Sequence, residues 1–211
     1  MRKLTSIDQL EDHYLTSQNR SVPAGAYWKE IDHINDHYEQ FIHRSPFLII
    51  ATHGENGLDC SPRGDPAGFV RVVNPKCIQI PDRRGNNRLD SLRNIISNPS
   101  VALLFLIPNI GETIRVSGKA EIVVDEDLCN SFSINGKAAS SVISITVEKA
   151  YFQCQKALVR SKLWSTESHV ERKDLPSTGS MVKRLAEMNQ QDFDAKSYDA
   201  NYPEHMKKTI Y

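Results

Sequence analysis

The chain of 211 residues carries no net charge, because 26 lysines and arginines are balanced by 26 aspartates and glutamates. Without a net basic field, binding to nucleic acid is not expected. No apolar run approaches the roughly 20 residues that a membrane helix requires. The N-terminal segment MRKLTSIDQLEDHYL also lacks the apolar stretch of a secretory signal. We therefore expect a cytoplasmic protein with no membrane partner.

Several common site motifs are missing as well. The four cysteines have no CxxC spacing, which argues against a zinc site and a disulfide framework. Neither a GxGxxG fingerprint nor a Walker A loop is present, so a Rossmann or P-loop site is not expected. No Ser/His/Asp or Cys/His constellation stands out. His33 and His37 lie one helical turn apart and could hold a metal, but with no third ligand in view a solvated polar face is favoured, and no metal is predicted.

The hydrophobic pattern predicts short strands joined by tight turns, with helices between them rather than regular βαβ units. The predicted strands are Phe47–Thr52, Leu58–Ser61, Phe69–Val73, Cys77–Ile80, Val101–Ile107, Thr113–Val124 and Val142–Val147. The predicted helices include Ala26–His43, Arg88–Ser97, Tyr151–Trp164 and Ser177–Asn189, and the polar tail from Gln190 is expected to be loose. This pattern favours an antiparallel barrel over a doubly wound sheet.

Two arginine-containing loops are the most informative local feature. Ser61–Asp65 reads SPRGD, and Pro81–Arg88 reads PDRRGNNR and leads into a predicted helix. Guanidinium groups match phosphate oxygens in pairs, and glycine lets backbone N–H groups approach an anion near a helix start. The two loops therefore predict a site for a phosphorylated cofactor across strand ends.

The sequences of these two segments also resemble those of a known family. The runs SPRGDPAGFVRV, IPDRRGNNRLDSLRNIISNPSVALLFLIP, ETIRVSGKAEIV and CQKALVRSKLW resemble pyridoxamine 5'-phosphate oxidase-like FMN-binding split-barrel flavoproteins, over roughly residues 31–164. The resemblance implies a mainly β fold with flanking helices, built on a six-stranded antiparallel Greek-key split barrel. It also implies a homodimer with FMN at the subunit interface. Within one structural domain, we expect an N-terminal helical segment (1–45), the barrel (46–165), and a C-terminal helix and tail (166–211).

The resemblance also assigns roles to individual positions. The phosphate is expected to be held after the strand ending at Ile80 and Pro81, and the isoalloxazine ring to lie along the strand before Asp65. The phosphate residues are Arg83, Arg84, Asn87 and Arg88, the ring residues are Ser61, Pro62, Arg63 and Gly64, and Arg115 also faces the flavin. The partner subunit is expected to close the cleft with Lys156, Arg160 and Trp164.

Each assignment has a structural alternative. Arg63 could pair locally with Asp65, and Arg83 with Arg84 could be a surface turn pair. Because both arginines lie in a predicted loop, replacing them with alanine is expected to weaken FMN binding and leave the fold intact. The remaining alternatives are that Asn87 caps the following helix, that Lys156 and Arg160 form a solvated helix face, and that Trp164 belongs to the core.

The expected activity is an FMN-dependent oxidation or reduction of a small substrate, with a reduced nicotinamide or organic molecule as electron donor. True pyridoxamine phosphate oxidases carry a C-terminal arginine motif, whereas this chain reads YPEHMKKTIY. Pyridoxamine phosphate is therefore not the expected substrate. The alternatives are a non-catalytic flavin-storage or redox-sensing protein and, from other relatives, haem binding through His53 or His169.

Overall fold

The computed structural model describes residues 3–55 and 57–211. Seven strands form one sheet in the order β2-β1-β5-β6-β7-β4-β3. The strands are β1 (Phe47–Gly54), β2 (Gly57–Gly64), β3 (Arg71–Asn74), β4 (Cys77–Asp82), β5 (Ser100–Leu106), β6 (Thr113–Val123) and β7 (Ser141–Gln153). All neighbouring strands pair antiparallel.

The connectivity is that of hairpins joined by longer crossings. β1 and β2, β3 and β4, and β5 and β6 are each consecutive in sequence and adjacent in the sheet, while β7 joins β6 to β4. The predicted fold class, an antiparallel barrel-type sheet with flanking helices, is confirmed, with seven strands in place of six. β7 is also longer than predicted, because its alternating pattern continues to Gln153 and pairs along the whole of β6.

The core lies on one face of these strands, as period-two alternation requires. Leu48 and Ile50 of β1 and Ile143 and Ile145 of β7 are fully buried. Phe105 of β5 joins the same cluster. Burying several such side chains, each contributing about 1.5–3 kcal/mol relative to exposure, is the main term that stabilises the sheet.

The described residues contain eight α-helices. They are α1 (Ile7–Glu11), α2 (Gly25–Trp28), α3 (Asp36–Arg44), α4 (Asp90–Ser97), α5 (Glu126–Ser131), α6 (Lys156–Ser161), α7 (Thr178–Met188) and α8 (Ala195–Thr209). None of them combines the length and the apolar character needed to cross a bilayer. α4 packs on β1 through buried Asn94, whose side-chain amide donates to Thr52 Oγ1 at 3.2 Å and to Gly57 O at 3.3 Å.

The predicted helix Ala26–His43 is wrong, since only α2 and α3 within it are helical. Ile31 instead forms an isolated bridge with Ala150, exchanging backbone hydrogen bonds of 2.9 and 2.7 Å. Asn35 then caps α3 by accepting from the backbone N–H of Tyr38. The apolar spacing suited a continuous helix, but pairing with a strand more than a hundred residues away interrupts it.

Two C-terminal expectations also fail. The predicted helix Tyr151–Trp164 is divided, because residues up to Gln153 belong to β7 and only Lys156–Ser161 is helical. The tail predicted to be loose contains α8, which packs against α7. Asp199 on α8 accepts a 2.7 Å hydrogen bond from the backbone N–H of Gly179, so a polar contact that composition does not reveal helps to order the hairpin.

The close approach of β6 to β7 at Gly118 leads to a prediction about stability. At Gly118 the ladder shifts register, and a Cβ placed there would lie 1.9 Å from Thr146 O. Gly118→Ala should therefore lower the free energy of unfolding by about 1–3 kcal/mol. Chemical denaturation measures this, with Gly25→Ala as the control, since no atom lies within 4 Å of a Cβ at Gly25. Equal stability of the two variants would contradict the observed register.

Candidate functional site

A cleft of about 760 Å³ opens between the end of β2, the loop after β4, α4, and the strand ends of β6 and β7. Its lining contains six of the predicted site residues: Ser61, Arg63, Arg83, Arg84, Asn87 and Arg88. The rest of the wall is formed by Asp82, Gly85, Asn86, Leu89, Asp90, Ser91, Leu92, Arg93, Ile96, Ile122, Val124, Ser140 and Ser141. Both arginine-containing segments thus line the cleft, but the prediction that Ser61–Asp65 is a loop is wrong, because Ser61–Gly64 forms the end of strand β2.

The alternation of β2 decides which SPRGD residues reach the cleft. Ser61 and Arg63 share the partly buried face of the strand, whereas Pro62 and Gly64 are on the exposed face. Successive side chains of a strand point to opposite sides. Pro62 and Gly64, predicted to contact the flavin ring, therefore do not line the cleft of this chain.

β4 shows the same division between core and cleft. Ile80 and Pro81 are buried and pair in register with Ile143 and Val142 of β7, so they serve the core rather than line the cleft. Asp82, the last residue of β4, is the first that lines it. Its register partner is Ser141, which explains how the start of β7 enters the wall.

Two reciprocal ion pairs join the arginine loops. Arg83 Nε lies 2.8 Å from Asp65 Oδ2, and Arg63 Nη2 lies 3.7 Å from Asp82 Oδ1. Each loop thus contributes one arginine and one aspartate, and each charge finds its partner in the other loop. A local Arg63–Asp65 ion pair, considered from the sequence, does not form in the described residues.

Arg83 is held from several sides. Its Nη2 donates to Phe132 O at 2.7 Å, in addition to the bond from Nε to Asp65. The Asp65 side chain is only 2% exposed, and its second oxygen accepts a 2.8 Å hydrogen bond from the Tyr211 hydroxyl. Arg83 is therefore not a free surface turn residue, because it neutralises a buried carboxylate and ties the loop to the C-terminal part of the chain.

The exposed cations of the cleft lie beyond this pair. Arg84 and Arg93 are exposed and form no ion pair in the described part of the chain. Arg88 is also exposed, with its Nε 2.7 Å from Asp90 Oδ2. Asn87 adopts a left-handed backbone (φ 58°) and does not cap α4, whose first flanking residue is Leu89. These side chains make one side of the cleft a cationic surface that suits a phosphate.

The surroundings of Asp59, beside the cleft, and Asp82, within it, shift the pKa values of the two carboxyl groups in opposite directions. Asp59 Oδ2 accepts hydrogen bonds from Ser91 Oγ at 2.6 Å and Ser61 Oγ at 2.9 Å. The bond from Ser91 is the largest cause that lowers the pKa of Asp59 below its ordinary value. Burial raises the pKa of Asp82, and the charge of Arg63 only partly opposes this. Ser61 is thereby oriented by Asp59, while Asp82 lacks comparable donors.

The remaining predicted residues lie away from the cleft in this chain. Arg115 lines a separate pocket, with its guanidinium carbon 5.2 Å from the centre of the Tyr151 ring. Trp164 is half-buried and donates from Nε1 to Ile110 O at 2.9 Å. Lys156 and Arg160 are exposed on α6. A contact between Arg115 and the flavin, and a contribution of Lys156, Arg160 and Trp164 to a flavin on a partner subunit, stay predictions.

The histidines do not form a site with the cleft. His53, considered for haem, is exposed and outside the cleft lining, as is His169. His33 bonds to Asp32 at 2.9 Å, and Lys76 lies 2.7 Å from the same carboxylate. Over residues 3–55 and 57–211 no group of three or more His, Cys, Asp or Glu side chains is arranged to hold a metal ion.

Sequence reasoning missed part of the cleft wall. Arg93 lies one turn into α4, and its closeness in sequence to Arg83, Arg84 and Arg88 was the available signal. Asp82 lies between two selected residues and was passed over. Ile96 and Val124 are 78% and 75% exposed although apolar, and only the tertiary structure places them beside the arginines.

The paired and unpaired arginines predict different effects on stability. Arg83→Ala should lower the free energy of unfolding by on the order of 3 kcal/mol, because it leaves the buried Asp65 carboxylate without its cation. Arg84→Ala should change it by no more than about 0.5 kcal/mol, as for other exposed side chains. Urea denaturation of both variants tests the difference. Two equally stable variants would show that the Asp65–Arg83 pair does not support the fold.

Comparison with known proteins places the chain in a family. A family model described as pyridoxamine 5'-phosphate oxidase matches residues 34–154. No curated protein matches.

Three solved structures illustrate the structural similarity. HupZ from Group A Streptococcus is 17% identical, with a TM-score of 0.46, over 56% of this chain and 91% of its own. General stress protein 26 from Bacillus anthracis is 17% identical, with a TM-score of 0.42, over 54% and 88%. An FMN-binding protein from Syntrophomonas wolfei is 9% identical, with a TM-score of 0.40, over 54% and 86%. Because the family model spans more than half of the sequence, this protein belongs to the pyridoxamine 5'-phosphate oxidase family.

Proposed function

We propose that the protein is an FMN-dependent oxidoreductase that acts on a small substrate other than pyridoxamine phosphate. The observation that carries this proposal is the cleft itself, which joins a cationic loop, an apolar wall and a buried arginine nitrogen without a partner. Family membership supports flavin binding, and the cleft supports FMN in particular because it offers a place for a phosphate.

The residues of the cleft fit each part of FMN. A volume of about 760 Å³ is within the range of roughly 300–1,000 Å³ that is typical of small-molecule sites. Arg84 and Arg93 supply exposed cations for a dianionic phosphate. Ile96, Ile122 and Val124 supply an apolar surface for a flat ring. Arg63 Nε is buried and has no hydrogen-bond partner among the described residues, so a ligand acceptor would satisfy it.

These observations assign a binding role to individual side chains of the cleft. Arg84, Arg88 and Arg93 bind the phosphate, with Asn87 shaping the loop through its left-handed backbone. Arg83 keeps the loop attached to Asp65 and presents its remaining N–H groups to the same end of the cleft. Arg63 lies toward the ring, where a positive charge favours a reduced, anionic flavin. When bound, FMN supplies the hydride and electron chemistry, and the side chains bind it, orient it and exclude water.

A second copy of the chain completes the site in this proposal. Ile96 and Val124 leave an unusually exposed apolar edge beside the cleft, which a partner subunit would cover. Arg115, Lys156, Arg160 and Trp164 lie away from the cleft of their own chain and reach the flavin from the partner. A homodimer with interfacial FMN follows, and its expected location is the cytoplasm.

The choice of substrate rests on the C-terminal sequence. The segment from Tyr202 to Tyr211 contains Lys207 and Lys208 but no arginine. This segment does not match the arginine motif with which pyridoxamine phosphate oxidases hold the phosphate of their substrate. Tyr211 instead donates to Asp65 beside the cleft, so this part of the chain supports the cofactor loop.

Binding measurements test the phosphate assignment. Arg84→Gln should raise the Kd for FMN about tenfold or more, because a lost charge-assisted hydrogen bond costs about 1.5–3 kcal/mol. The Kd for riboflavin, which lacks the phosphate, should hardly change. Fluorescence titration of both ligands against both proteins measures the difference. An equal loss for FMN and riboflavin would place Arg84 away from the phosphate.

A second experiment tests turnover. Anaerobic mixing of the FMN-loaded protein with NADH, NADPH or small organic donors should bleach the flavin absorbance with at least one of them, and oxygen or another acceptor should restore it. Failure of every donor to reduce the bound flavin would reject the oxidoreductase and leave the non-catalytic alternative, a flavin-storage or redox-sensing protein.

A further inference from the structure

We propose that Arg63 and Asp82 together recognise the pyrimidine edge of the flavin, with Asp82 accepting a hydrogen bond from its N3–H group and Arg63 donating to a neighbouring carbonyl. The inference rests on the proposed FMN site and specifies how that site selects the ring. It assigns a role to Asp82, which the loop motifs did not suggest.

The geometry of this pair differs from that of the other ion pair in the cleft. Arg63 Nη2 and Asp82 Oδ1 are 3.7 Å apart, which is too long for a hydrogen bond, whereas Arg83 and Asp65 meet at 2.8 Å. The side chains of Arg63 and Asp82 are 24% and 14% exposed. The two charges are thus close enough to attract each other and still have hydrogen-bonding capacity to offer.

Arg63 and Asp82 both have hydrogen-bonding groups that no other described residue uses. Within residues 3–55 and 57–211, Arg63 Nε is buried without a hydrogen-bond partner, and Nη1 donates only to Pro62 O at 3.3 Å. In the described residues the Asp82 carboxylate accepts no hydrogen bond, and desolvation is the main cause that raises its pKa. An unsatisfied buried polar group costs about 1–3 kcal/mol. A ligand that donates to Asp82 and accepts from Arg63 would remove this cost for both.

The chemistry required is a donor flanked by acceptors. Arg63 can only donate, and an ionised Asp82 can only accept. The edge of a flavin pyrimidine presents a carbonyl, an N–H and a second carbonyl in sequence, which is complementary to an adjacent guanidinium and carboxylate. A phosphate, which has only acceptors when fully ionised, would be repelled by Asp82. The pair therefore separates the ring end of the cleft from the arginine-rich phosphate end.

An analogue that differs at one atom tests the inference. N3-methyl-FMN keeps the phosphate and the ring but lacks the N3–H donor. The wild-type protein should bind FMN more tightly than N3-methyl-FMN by about tenfold or more, the equivalent of a charge-assisted hydrogen bond. Asp82→Ala should abolish this preference, because the acceptor is gone. Fluorescence titration gives all four dissociation constants.

Two variants serve as controls. Arg84→Gln should weaken both flavins equally and keep the preference for FMN, because it acts at the phosphate end. Asp127→Ala, which removes an exposed carboxylate outside the cleft, should leave both constants unchanged. Equal binding of FMN and N3-methyl-FMN by the wild type, or an undiminished preference in Asp82→Ala, would overturn the inference.

A second substitution remains informative if Asp82→Ala does not fold. Asp82→Asn keeps the size of the side chain and removes its charge, so reduced FMN should gain affinity relative to oxidised FMN, by several-fold to tenfold, since an anion beside the anionic ring is lost. Arg63→Gln should shift the ratio in the opposite direction. Ratios that do not change in either variant would place the ring elsewhere in the cleft.

The results also separate this inference from the proposed function. A wild-type protein that binds neither FMN nor riboflavin would refute the flavin site itself, and the subsite with it. A wild-type protein that binds FMN, with Asp82 variants indistinguishable from it, would keep the flavin site and reject only the role of Asp82.

Discussion

The reciprocal ion pairs between the two arginine loops are the constraint on which the candidate site depends. Asp65 and Arg83 meet at 2.8 Å with the carboxylate almost fully buried, so this pair can persist only while both loops stay together. Arg83 also donates to Phe132 O, and the Tyr211 hydroxyl donates to the second oxygen of Asp65. Strand ends that are far apart in sequence are thereby held as one wall of the cleft.

This constraint leaves the charges of the cleft unevenly distributed. Arg83 is largely neutralised by Asp65, whereas Arg84 and Arg93 face solvent without a carboxylate partner in the described residues. At the other end, Arg63 and Asp82 are close but loosely paired. A zero-net-charge protein thus presents a local cationic surface and a mixed donor–acceptor surface, and these suit different parts of one nucleotide.

The extent to which the sequence predicted this arrangement differs between elements. The strands were located because their apolar residues alternate or run continuously, as in β1 and β5. The helix predicted over Ala26–His43 was wrong because Ile31 pairs with Ala150, a long-range contact that helical spacing cannot exclude. Within the site, both arginine-containing segments line the cleft, whereas the alternative considered for Arg63, an ion pair with Asp65, does not form in the described residues. Arg63 pairs with Asp82 rather than Asp65, since the ends of β2 and β4 both line the cleft.

The sequence by itself determined the fold class, the family and the two arginine-containing segments that line the cleft, because hydrophobic periodicity and sequence motifs are local properties of the chain. Only the tertiary structure decided which arginine supports the fold and which remains available to a ligand. That distinction depends on burial and on partners brought from other strands, as with Asp65 beneath Arg83. It also revealed the unsatisfied Nε of Arg63, because an atom lacks a partner only once the surrounding chain has excluded water from it.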